Sequence, residues 1–149
     1  HFYDKDKIKT TSIVSYGIKP IVKLSGKDSF FSIWDNPLKD NLTDENDSEL
    51  LHKYIDFCTD KINDLFVAVK IKIDDSKWTT DKTIRNKVLS TTAINGFIVC
   101  LRRIISEGKT GDQKFYENKL SNINQFDFNQ YKSSQYGRMG RDLFDKYFQ

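Results

Sequence analysis

The sequence predicts an all-α fold: a single-domain helical bundle of about five main helices around one central apolar helix. Three observations predict it. Between Asp47 and Lys72, the residues Leu51, Tyr54, Ile55, Cys58, Ile62, Leu65, Phe66 and Val69 recur at three- and four-residue spacing, one continuous helical stripe. Between Ser90 and Ser106 there are two apolar rows, Ala93-Phe97-Cys100-Ile104 and Ile94-Ile98-Leu101-Ile105, and a helix apolar on more than one face belongs inside a bundle. The chain has 149 residues, 38% hydrophobic and 13% aromatic, which suits one domain with a real core. No internal repeat, low-complexity tract or linker divides it.

The elements follow in order. His1 to Lys9 reads as extended or frayed. A start at His1 rather than Met suggests a tag remnant or an excised domain, so His1 is not read as a ligand. Thr10 to Leu24 reads as the first helix from the spacing of Ile13, Val14, Ile18, Ile21 and Val22, with Gly17 and Pro20 expected to weaken or kink it. A strand is the alternative there, because the residues are β-branched. Asp28 is expected to cap a short helix carrying Phe30, Phe31, Ile33 and Trp34, aromatics that read as core before they read as a base-stacking platform.

The acidic stretch from Lys39 to Ser48 invites a calcium loop. The EF-hand template fails: counted from Asp44, Glu49 stands where Gly is needed and Ile55 where Glu is needed. A capping box of Asn46 with Glu49 explains the acids better. After the long helix, Asp74-Asp75-Ser76 is a turn and Trp78 packs back on that helix. Thr79 or Thr80 then caps a helical stretch through Ile84, Val88 and Leu89. Within the central helix, Gly96 admits a close neighbour, and Arg102 and Arg103 suit the negative end of the helix dipole, with phosphate contact as the alternative. Gly108 to Gly111 is a turn, with Thr110 and Gln113 as a capping box for a short helix to Ile123. Phe126, Phe128 and Tyr131 anchor a loop. Ser133 or Ser134 caps the last helix, which carries Tyr136, Met139, Leu143, Phe144 and Tyr147, and whose Gly137 and Gly140 read as packing contacts rather than a phosphate loop.

Charge is unevenly spread. Residues 1–75 hold 11 basic and 14 acidic side chains, net −3, and residues 76–149 hold 13 basic and 7 acidic, net +6. A basic half can attract a polyanion, although the isoelectric point of about 8.7 is below what strongly clustered nucleic-acid binders show. The candidate phosphate contacts are Lys82, Arg85 and Lys87 before the central helix, and Lys132, Arg138 and Arg141 around the last one. Arg138 and Arg141, three apart, share a helix face.

Reactive chemistry is sparse. Two Cys and two His, without paired spacing, do not form a zinc set or a disulfide framework. Cys58 reads as a buried structural thiol, and His52 has no second His nearby. No GxSxG, P-loop or GxGxxG occurs. The expectation is no catalytic residue, no metal ligand and no cofactor. No purely apolar run is longer than Phe97 to Leu101, so no membrane span is expected, and two reduced thiols without an export signal suggest the cytoplasm.

Three stretches carry a family resemblance: Thr11-Ser12-Ile13-Val14-Ser15-Tyr16-Gly17-Ile18-Lys19-Pro20, Leu89-Ser90-Thr91-Thr92-Ala93-Ile94-Asn95-Gly96, and Tyr131-Lys132-Ser133-Ser134-Gln135-Tyr136-Gly137-Arg138-Met139. With the upstream helix ending near Trp78, they resemble the helical C-terminal part of bacterial DGQHR-domain proteins. The signature Asp-Gly-Gln-His-Arg is absent, so no site residue carries over. The resemblance implies a fragment separated from a ParB-like module, in a family similar to regulators associated with DNA phosphorothioation and phage-defence islands. The function expected is that of a non-enzymatic accessory or interaction domain, through self-association or docking to the rest of the parent protein. DNA binding by the basic half is the alternative.

Overall fold

The structure, a computed structural model, describes residues 8–43 and 47–149. Among them there is no strand, and six helical segments surround one continuous hydrophobic core.

Helix α1 runs from Thr10 to Val22, so the strand alternative does not occur. Its middle, Ile13–Ile18, is π-helical, with Lys19 N–H bonded to Val14 C=O. The reason lies at Pro20, which has no N–H and whose ring would meet the carbonyl four residues back. Widening the preceding turn relieves that conflict, so the proline is absorbed in a π-bulge. The helix stops at Val22, two residues earlier than expected, as Lys23 turns extended.

Ser29, not Asp28, caps α2 (Phe30–Ile33): its Oγ accepts from Phe31 N–H at 3.2 Å and its hydroxyl reaches back to the carbonyls of Ile21 and Lys23. Phe30 and Trp34 are buried, with Trp34 5.0 Å from the Tyr54 ring, so these aromatics are core.

Helix α3 (Ser48–Lys72) is capped by Asp47, whose Oδ1 accepts from Leu50 N–H at 3.0 Å. Asp44 and Asn46, invoked for the calcium loop and capping box, lie outside the described residues. The helix buries Leu50, Tyr54, Cys58, Leu65, Ala68 and Val69. Leu51 and Ile55, expected in the stripe, are exposed, because the inward face passes through Leu50 and Tyr54 beside them.

The helical stretch expected after Thr79 is absent. Thr79 Oγ1 accepts from Asp81 N–H, Asp81 Oδ1 accepts from both Thr83 N–H and its hydroxyl, and Asn86 adopts a left-handed φ of 61°. These local side-chain bonds satisfy the backbone that a helix would otherwise use. Val88 is still fully buried, its N–H bonded to Lys77 C=O at 2.8 Å. Trp78 is half-buried beside α3, with Lys70 Nζ over its ring.

Helix α4 (Thr91–Ser106) is the centre. Ser90 Oγ caps it by accepting from Ala93 N–H at 3.1 Å, and Ala93, Asn95, Gly96, Phe97, Ile98, Cys100, Leu101, Ile104 and Ile105 are all buried. It ends in a Schellman turn, Lys109 N–H to Ile104 C=O and Gly108 N–H to Ile105 C=O, with Gly108 at φ 68°. Helix α5 (Gln113–Lys119) is capped by Asp112 rather than by Thr110, and it ends before Leu120; Ile123 starts a separate 3-10 turn. Tyr116, Leu120 and Ile123 are nonetheless inward. Phe126, Phe128 and Tyr131 are buried loop anchors, the first and last stacked within 6° of parallel.

Helix α6 (Tyr136–Tyr147) follows a 3-10 turn at Ser133–Gln135. Neither serine caps it; the Gln135 side chain instead accepts from Lys132 N–H at 2.8 Å. The last helix lies very close on the central one. A Cβ at Gly96 would stand 2.4 Å from Met139 Sδ, and one at Gly140 would stand 2.4 Å from Val99 Cγ1 and 2.8 Å from Gly96 C=O. A Cβ at Gly137 would meet only Arg141 Nη1, at 3.8 Å, so its expected helix-packing role is not found.

The conflict at Gly140 includes backbone, which cannot rotate away. Gly140→Ala is expected to destabilise by about 1–3 kcal/mol through overpacking, whereas Gly137→Ala should be stabilising by up to about 1 kcal/mol from helix propensity. Chemical denaturation of the two variants checks the contrast.

Candidate functional site

Three chain segments meet at the start of α4. Lys9 N–H donates to Thr91 Oγ1 at 2.8 Å, and Thr92 Oγ1 lies 3.5 Å from Ser133 C=O. Between them is a cleft of about 670 Å³ lined by Lys9, Ser12 and Tyr16 of the first segment, Lys87, Ser90, Thr91, Thr92 and Asn95 of the second, and Ser133, Ser134 and Tyr136 of the third. Among the described residues its wall has two lysines, several hydroxyls and an amide, and no carboxylate or thiol. The volume is in the range of small-molecule sites.

The electrostatics favour an anion. The first amides of a helix have no intrahelical acceptor and carry the positive end of its dipole. Here Ser90 takes Ala93 N–H, and Ile94 N–H goes to Ser90 C=O. Thr91 and Thr92, in the first turn where amides have no intrahelical acceptor, line the cleft. Lys87 holds its Nζ 3.0 Å from Thr80 C=O, pinning the lysine to its own loop.

Asn95 lines the same cleft, is 2% exposed, and leaves its Oδ1 without a hydrogen-bond partner. Such a group carries a desolvation penalty of about 1–3 kcal/mol. The amide is wedged against α1, where a Cβ on Gly17 would stand 2.7 Å from Oδ1. Tyr16, 54% exposed, stands 5.8 Å from Tyr136, and both rings border the cleft.

The six basic residues separate into groups. Lys82, Arg85 and Lys87 lie on one connection and Lys132 on another. Asn86 and Asn129 join the two by reciprocal bonds, each backbone N–H donating to the other's Oδ1, at 3.2 and 3.1 Å. Arg138 turns to Asp142 at 3.8 Å and sits over the Tyr131 ring, whose hydroxyl donates to the same carboxylate at 2.6 Å. Arg141 borders a separate groove of about 210 Å³ with Asp28, Arg102 and Arg103. Arg102 donates there through Nε and Nη2 to Asp28 Oδ2 at 3.1 and 2.7 Å. Arg103 pairs with Glu107 and lies over Phe144. Both expectations for these two, dipole and phosphate, thus omit their ionic partners.

Asp28 is pulled two ways: burial works to raise its carboxyl pKa, and Arg102, by hydrogen bond and charge, with Lys23, more than offsets that and holds it below the usual range. The thiols are shielded. Burial pushes Cys58 up to about 11 and raises Cys100 further. His52 is on the surface, Nδ1 2.7 Å from Ser48 C=O. Among the described residues, no three His, Cys, Asp or Glu side chains gather as a metal set, and no helix is long and apolar enough to cross a membrane.

Of the basic residues singled out from the sequence, Lys87 lines this cleft and Lys132 does not; Asn95, Tyr16, Thr91 and Thr92 were not singled out. One signal was present: Asn95 is a polar residue set among Ala93, Ile94, Gly96 and Phe97 of the central helix. No protein family, curated protein or solved structure matches this chain.

Two outcomes are expected. A thiol reagent at neutral pH should leave both cysteines of the folded protein unmodified and label both in denaturant, read by mass spectrometry. The Asp28–Arg102 bond stabilises above the normal carboxylate range and is lost as pH falls through the lowered folded value. Asp28→Asn should therefore cost about 1 kcal/mol at neutral pH and little in strong acid, as denaturation at the two pH values would show.

Proposed function

We propose that the domain is a non-enzymatic accessory domain that binds an anionic partner, within a larger protein of the DGQHR-like type that the sequence resembles. One observation carries the reading: the cleft at the start of α4 places lysines and hydroxyls at a helix N-terminus, with no carboxylate, thiol or imidazole among the described residues that line it. Such a surface recognises charge without transforming it. The exposed apolar side chains Leu51, Ile55, Val67 and Ile71 of α3 offer room for contact with another part of a parent protein.

DNA binding is the second reading. The clasp of Asn86 with Asn129 favours it, because it holds Lys82, Arg85 and Lys132 on adjoining, exposed connections as a set of phosphate contacts. Arg138 and Arg141 contribute less, one engaged with Asp142 and the other turned to the arginine groove.

Titration of the protein into labelled duplex DNA at about 50 and 200 mM salt tests this, since each phosphate contact steepens the salt dependence. Under the DNA reading, affinity falls steeply with salt, and Lys82→Glu with Lys132→Glu weakens it more than Arg138→Glu does. A flat salt response removes the DNA reading and leaves the accessory one.

A further inference from the structure

We propose that the groove between the second half of α4, the middle of α6 and the turn before α2 binds a phosphate monoester on the guanidiniums of Arg102, Arg103 and Arg141. The groove is a second surface, apart from the cleft at the start of α4: Thr91 and Arg102 lie about 17 Å apart along the helix axis. The two surfaces can therefore fail separately.

Carboxylates hold two of the arginines in place. Arg102 Nε and Nη2 both donate to Asp28 Oδ2, and Arg103 Nε donates to Glu107 Oε1. A guanidinium carries five N–H donors in a rigid fork, so these bonds orient each group without exhausting it. Arg141 is exposed and forms no ion pair among the described residues; the neighbouring Asp142 is held by Arg138 and the Tyr131 hydroxyl. Ser106 spends its hydroxyl proton on Arg103 C=O, so the guanidiniums are the donors left for an anion. Positive charge is in surplus. Lys23, Arg102, Arg103 and Arg141 carry four charges against two on Asp28 and Glu107, which leaves two. A phosphate monoester carries about −1.5 to −2 near neutral pH and matches that surplus, whereas a side-chain carboxylate carries half of it. Size agrees as well. The groove holds about 210 Å³, below the roughly 300 Å³ at which drug-sized sites begin, so it takes an anionic headgroup rather than a whole nucleotide. Half-buried Val99 gives its wall an apolar surface for the carbon next to the ester oxygen. The negative end of the α4 dipole opposes an anion, but the carbonyls of Ile104 and Ile105 are already bonded in the Schellman turn. The shared chemistry has two sources, a free small phosphate ester and a phosphoserine side chain of another protein.

The test uses the full 149-residue chain. O-phosphoserine, serine and glutamate are titrated in turn, followed by amide and arginine Nε NMR shifts and by calorimetry. O-phosphoserine should move the signals of residues 99–106 and 138–142 and bind roughly tenfold or more tightly than glutamate, the scale of one further charged hydrogen bond. Serine should be silent. Arg141→Met should weaken O-phosphoserine roughly tenfold, again the scale of one charged hydrogen bond, and Lys87→Met, at the other cleft, should leave it unchanged. Arg141 is exposed, and an unchanged melting temperature confirms folding. A blocked phosphoserine pentapeptide binding more tightly than the amino acid identifies a protein partner, and equal or weaker binding identifies a free ester; either supports the proposal. The proposal is overturned if O-phosphoserine leaves residues 99–106 unmoved, if glutamate binds as tightly, or if Arg141→Met binds as the parent does. Should Lys87→Met alone weaken binding, the phosphate sits at the start of α4: the groove fails and the anionic reading of that cleft stands. If no anion moves either set of residues, both fail.

Discussion

The close crossing of the central and last helices is the constraint on which the rest of the structure depends. At Gly140 a side chain would strike Val99 and the Gly96 carbonyl, and at Gly96 it would strike Met139. Two glycines facing one another remove the side-chain layer that usually separates packed helices, so dispersion contacts run from backbone to side chain across the gap. That approach fixes where the segment from Tyr131 to Tyr147 lies. It carries Ser133, Ser134 and Tyr136 to the start of the central helix, and it sets Arg141 near Asp28 and Arg102. The cleft at the start of the central helix and the groove beside Arg102 are consequences of it.

The first helix completes the arrangement from the other side. Pro20 would break an ordinary helix, and the π-helical turn before it keeps the chain helical. The missing side chain of Gly17 lets the bulged helix settle against Asn95 and Ile98. Closure has a cost there, an amide oxygen buried without a partner. An unmet polar group between α1 and the central helix is the kind of local inconsistency that function leaves in an otherwise well-satisfied fold.

Much of the core was legible in the residues. Most of the stripe of the long helix, Leu51 and Ile55 excepted, the all-round apolar character of Ser90 to Ser106, and the loop anchors Phe126, Phe128 and Tyr131 pack inward. Periodicity reads these correctly because hydrophobic burial is non-directional and depends on which face a residue occupies. The caps were less legible. Asp28, Thr110 and the serines at 133 and 134 have side chains able to cap, but Asp28 is drawn 74 positions along the chain to Arg102, and Ser29, Asp112 and Gln135 do the local work instead. The failed helix after Thr79 has the same origin. Short polar side chains bond their own backbone there, and a period of apolar residues does not reveal that competition.

What the sequence by itself determined is the fold class, the central place of the helix that begins at Thr91, and the basic character of the second half. These follow from composition and spacing, which act locally along the chain. What only the tertiary structure decided is which polar groups meet. Lys9, Lys87, Asn95 and Ser133 are remote in sequence and share one cleft; Arg138 and Arg141 are three residues apart and turn to different neighbours. Hydrogen bonds and charge pairs depend on direction and on distances of a few ångströms, and those are set by how closely the helices pack.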